Sequence, residues 1–64
     1  MKSNIIDIEV KVHARTDKGI RVSATGQQID AEWLPLSQIE VQDAGGGIAT
    51  VTLPEWMAME KGLI

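Results

Sequence analysis

A small, mainly β domain is the fold class this sequence predicts: an antiparallel five-stranded barrel of the SH3-like or OB-like kind, closed by a short C-terminal helix. Three observations carry it. Apolar and polar residues alternate from Ile6 to Arg15, the period of a half-buried strand. Eight isoleucines and five valines lead an apolar set with neither phenylalanine nor tyrosine, so β-branched strand formers prevail. Turn chemistry at Thr16-Asp17-Lys18-Gly19, Gly26-Gln27 and Asp43-Ala44-Gly45-Gly46-Gly47 punctuates the remaining runs.

The first strand places Ile6, Ile8, Val10, Val12 and Ala14 inward and Asp7, Glu9, Lys11, His13 and Arg15 outward. In the turn that follows, Asp17 is expected to bond the backbone ahead of it and Gly19 to take positive φ. A second strand over 20–25 turns Ile20, Val22 and Ala24 inward and Arg21, Ser23 and Thr25 outward. A third over 28–33 turns Ile29, Ala31 and Trp33 inward.

Pro35 withholds a ladder N–H and extends Leu34, so Trp33-Leu34-Pro35 reads as a sheet corner. A fourth strand over 37–42 then carries Ile39 and Val41 inward. The glycine run joins it to a fifth strand over 48–53. It is not read as a phosphate loop, because such a loop needs a lysine and a Ser/Thr right after the glycines at a helix start, whereas Ile48-Ala49-Thr50-Val51 reads as a strand.

After Leu53 the period changes. Thr52-Leu53-Pro54-Glu55 fits a capping box, and Trp56, Met59 and Leu63 share one side of a helix of about two turns that Gly62 ends. So short a helix is stable only when packed on the sheet, and Trp33 and Trp56 are expected to meet in one shared interior.

The 64 residues form one domain, 1–64, small enough that only about 60% of the unfolded surface is buried on folding. Without cysteine and with a single histidine, the sequence offers neither a disulfide framework nor a zinc site, and no cofactor is implied. A net charge of −3 gives no general attraction to nucleic acid or anionic lipid. Lys2 precedes no signal-type apolar segment and no run is long enough to span a bilayer, so the expected location is cytoplasmic.

The densest functional candidate is the first hairpin, where Lys11, His13, Arg15, Lys18 and Arg21 cluster while the rest of the chain is acidic. Cations on one outward face could follow a phosphate backbone, but single-strand binders usually add exposed aromatics, and none is spare on this reading. A solvated face balancing Asp7, Glu9 and Asp17 is the plainer interpretation. Leu34, Leu36 and Met57 form a second candidate, an apolar remnant that a protein partner or a second copy would cover.

An enzyme is not expected. Ser3, Ser23 and Ser37 share one histidine and lack the glycine elbow of a hydrolase nucleophile, and the scattered carboxylates act as solubilising charges. Two functional readings stand: a non-enzymatic interaction or accessory module that binds a macromolecular partner, and weak nucleic-acid binding through the basic hairpin.

The stretches Trp33-Leu34-Pro35-Leu36-Ser37-Gln38-Ile39 and Leu53-Pro54-Glu55-Trp56-Met57-Ala58-Met59-Glu60-Lys61-Gly62-Leu63-Ile64 resemble a group of very small, uncharacterised bacterial and phage-associated proteins. These share W-L-P-K-S-Q-I and L-P-E-W-L-A-x-E-K-G-L motifs. The resemblance covers roughly the second half of the chain and implies a shared fold without an activity. The group carries lysine where this chain has Leu36, so any contact made by that lysine is missing here.

Overall fold

A computed structural model describes residues 4–64; Lys2 and Ser3 lie outside the described residues. Five strands form one antiparallel sheet: β1 (Ile5–Arg15), β2 (Gly19–Ser23), β3 (Glu32–Pro35), β4 (Glu40–Gly45) and β5 (Ile48–Pro54). A six-residue helix, α1 (Glu55–Glu60), follows. The order is β3-β2-β1-β5-β4, so the long first strand is central and β3 and β4 are the two edges. At about 3.3 Å per residue, the eleven residues of β1 account for the 35 Å long axis of the molecule. The expected five antiparallel strands and short helix are present, but the sheet is open.

Register defines the core face. Ile6 pairs with Leu53, Ile8 with Val51 and Val10 with Ala49 across β1 and β5, while Val12 pairs with Val22 across β1 and β2. Val10, Ile20, Val22, Leu34, Val51 and Leu53 are buried, joined by Met57, Ala58 and Leu63 from the C-terminal segment. Each such aliphatic side chain contributes about 1.5–3 kcal/mol relative to exposure. No aromatic ring takes part.

The two tryptophans therefore overturn the expectation of a shared aromatic interior: Trp33 is 46% exposed and Trp56 49%. For Trp33 the cause is a change of parity. Residues 28–30 form a 3-10 turn instead of a strand, leaving Ile29 87% exposed. β3 starts only at Glu32, with Leu34 inward opposite Ile20 and Trp33 outward opposite Arg21. A second 3-10 turn, Leu36–Gln38, replaces the beginning of the expected fourth strand, and β4 begins at Glu40. Pro35 sits in an edge strand, where a missing donor is tolerated.

The helix also turns a different side to the sheet. Met57, Ala58 and Leu63 are buried, whereas Trp56 and Met59 face out. Met57 is thus core at 3% exposure and Leu34 at 1%, and Leu36 is half-buried against the same cluster. No capping box forms: Pro54 precedes the helix without a side-chain cap, the Thr52 hydroxyl donates to Asp7 Oδ1, and the Glu55 N–H donates to the Asn4 carbonyl at 2.7 Å.

Gly62 ends the helix as expected. At φ 71° it lets the Leu63 N–H reach the Ala58 carbonyl at 2.8 Å and its own N–H reach Met59 at 3.1 Å, the paired bonds of a Schellman motif. Among the described residues, no helix is long and apolar enough to cross a membrane.

Candidate functional site

Strand β1 supplies most of the basic cluster, and a bulge redistributes it. Val12 pairs with Val22 and Ala14 with Arg21, so His13 is an extra residue with no partner on β2. Beyond it the alternation inverts: Ala14 lies on the face of Arg21, exposed rather than inward, and Arg15 lies opposite the core residue Ile20. Lys11 and Arg15, expected on one face, fall on opposite faces. The single stripe of Lys11, His13 and Arg15 is not formed.

Each member then has its own surroundings. Arg15 Nη2 donates to Asp43 Oδ1 at 3.0 Å, an exposed ion pair worth about 0–1 kcal/mol. His13 Nε2 shares a 2.7 Å hydrogen bond with Ser23 Oγ, which also accepts the Gly26 N–H at 3.0 Å. Ser23 is accordingly fully buried instead of facing water, and its bonds tie the bulge to the turn after β2. Arg21 Nη2 reaches the Gln28 carbonyl at 3.4 Å, while Lys11 and Lys18 are exposed.

The hairpin turn is held by Thr16, not Asp17. The Thr16 N–H donates to the Gly19 carbonyl at 2.8 Å, and the Gly19 N–H donates to Thr16 Oγ1 at 3.1 Å. Gly19 does not adopt positive φ. Its lack of a side chain matters for a different reason: a Cβ there would stand 3.3 Å from Trp33 Cε3. In the register, Gly19 pairs with Pro35 and Arg21 with Trp33, so Trp33 and Gly19 are diagonal neighbours on the outer face. The indole is braced on the bare backbone of β2 beside Arg21.

Trp33 is the residue that sequence reading missed as a surface group. The available signal was Gly19 itself, because glycine inside a strand marks a bulge or a close approach. The structure places Trp33 beside Arg21, with Lys11 on the same face of β1, while Lys18 at the hairpin tip accepts the Leu36 N–H through its carbonyl at 2.9 Å.

A second surface lies at the other end of the chain. Trp56 and Met59 stand three residues apart on α1, 49% and 63% exposed, which makes them neighbours on the helix surface. Ile5, paired with Pro54 at the entry to this helix, is 61% exposed, and Ile64 just beyond it is 59% exposed. Next to the strand ends, Ile5, Ile39, Leu53 and Pro54 contribute to the wall of a groove of ≈ 440 Å³ that also admits Glu40 and Thr52. Among the described residues, no group of three or more histidine, aspartate or glutamate side chains is placed to hold a metal ion. Neither surface contains an acid paired with a base.

In comparisons with known proteins, no family model, no curated protein and no solved structure matches the chain.

Proposed function

We propose that this chain is a non-enzymatic interaction module that binds a protein partner through the outward side of α1. The observation that carries the reading is the exposure of Trp56 and Met59 side by side on a helix whose opposite side, Met57 and Ala58, is buried. A large indole left half in water in a domain with so small a core is a typical anchor for association, because Trp supplies much contact area for few rotors. Ile5 and Ile64 extend the apolar character of this end. Leu36 is a half-buried support for the core in this account, and Met57 holds the helix in place from beneath.

The curled sheet is read as an incompletely closed barrel. Its sequential order, with β1 joined to β5, suits the SH3-like kind better than the Greek-key path of an OB-like barrel.

The reading is tested by placing a photo-crosslinking residue at position 59, with position 17 on the opposite hairpin as control, in the cells from which the chain comes. A discrete crosslinked species is expected from position 59 alone, and Trp56→Glu should abolish it. Its mass distinguishes a second copy from another protein. Equal crosslinking from both positions, or none from position 59, overturns the proposal.

A further inference from the structure

We propose that the outer face of the first hairpin is a single-stranded nucleic-acid site in which Trp33 stacks on a base while Arg21 and Lys11 contact phosphates. This site is separate from the α1 surface and does not depend on it. The first requirement of such a site is a flat aromatic group held still. Trp33 meets it because the indole rests against Gly19, where a Cβ would stand 3.3 Å from Cε3, yet 46% of the residue remains open to solvent. Stacking asks only for a π face and is therefore tolerant of sequence.

The second requirement is positive charge on the same face. Arg21 is the direct cross-strand partner of Trp33, and Lys11 lies on the outer face of β1 opposite Ser23; Lys18, whose carbonyl accepts the Leu36 N–H at 2.9 Å, continues the ladder on the other parity and lies outside the site. From Trp33 to Lys11 the path crosses two strand spacings, about 10 Å, and steps two residues along β2, over half-buried Arg21 and buried Ser23. At its far end a small depression of ≈ 190 Å³ lies between Lys11 and the turn Ala24–Gly26. The carboxylates at this path are Glu9, which lines the same depression as Lys11, Asp30, whose Oδ2 accepts from the Thr25 hydroxyl at 2.8 Å, and, adjacent in sequence to Trp33, Glu32. They keep the site weak and salt-sensitive, and they point to a single strand, whose bases can stack, over a duplex, which is held mostly through phosphates. An acidic peptide would use the cations but not the stacking surface.

The test uses the full chain carrying Trp56→Phe, so that Trp33 is the only indole, titrated with a ten-residue oligothymidylate. Saturable quenching of Trp33 emission is expected, with an affinity whose logarithm falls against log salt with a slope of about −1.4 for two contacts at ~0.7 each. Arg21→Glu and, separately, Lys11→Glu should each weaken binding by about ten-fold or more. In the otherwise unaltered chain, Trp33→Ala should weaken binding of a labelled oligothymidylate about ten-fold, the scale of one lost base stack.

Absence of quenching overturns the proposal, as does equally tight binding of polyglutamate of the same length, or an affinity indifferent to both charge reversals. Because Trp56 is already replaced, a failed α1 surface cannot produce any of these results.

Discussion

The two tryptophans are almost equally exposed, yet they occupy very different ground. Trp33 lies on an edge strand, braced on Gly19 beside Arg21, with lysines at the hairpin tip and on β1. Trp56 stands on a six-residue helix next to Met59, between Glu55 and Glu60. One ring is fixed by backbone and lies beside an arginine; the other belongs to an apolar, mildly acidic end. The comparison teaches that a chain of 64 residues can form its core without an aromatic ring and leave its only two large rings for the surface. It also separates the two functional readings in space, since stacking with phosphate contact belongs to the first ring and association with a protein to the second.

The comparison breaks most readily at the core. Leu34 is 1% exposed and neighbours Trp33 in sequence, so Leu34→Ala should cost about 2–5 kcal/mol, against about 1 kcal/mol or less for Trp33→Ala or Trp56→Ala. Urea unfolding followed by far-ultraviolet circular dichroism reads all three. If a tryptophan replacement is as destabilising as that of Leu34, the ring belongs to the core and the division fails.

A smaller effect sharpens the hairpin side. Ser23→Ala removes the hydroxyl shared by His13 and the Gly26 N–H and should cost about 1–3 kcal/mol, nearer the lower limit because His13 and Gly26 are within reach of water. Faster hydrogen exchange at Gly26 should accompany it. An unchanged exchange rate would mean that the turn after β2 is held without the serine.

Much of the architecture is legible in the residues, and the misreadings have common physical causes. Strands β1, β2 and β5 follow from alternation because their inward residues, Ile6 to Val12, Ile20 with Val22, and Ala49 to Leu53, keep one parity through each paired run. The triple glycine also reads correctly as a hairpin: Gly45, Gly46 and Gly47 all have positive φ, which a tight turn between β4 and β5 requires. Parity is lost where the backbone inserts a residue or a turn that hydrophobicity does not record. The bulge at His13 is invisible because Ala14 and Arg15 continue the pattern in letters while the ladder has slipped. The 3-10 turns at Gln28–Asp30 and Leu36–Gln38 hide behind polar residues equally suited to a strand face.

The orientation of α1 was ambiguous for another reason. With Trp56, Met57, Met59 and Leu63 distributed over barely two turns, more than one apolar side is available, and the extended Pro54 entry sets which one meets the sheet. Candidate surfaces inherit these errors: Met57 moved inward, Arg15 left the face of Lys11, and Trp33 came out to stand beside Arg21.

Acrylamide quenching of the two single-tryptophan chains, made by Trp33→Phe and Trp56→Phe, tests the central claim most directly. Both remaining indoles should be quenched at a substantial fraction of the rate of free tryptophan while the protein stays folded. An indole in either chain that is shielded from acrylamide until urea unfolds it would contradict a core without aromatic rings.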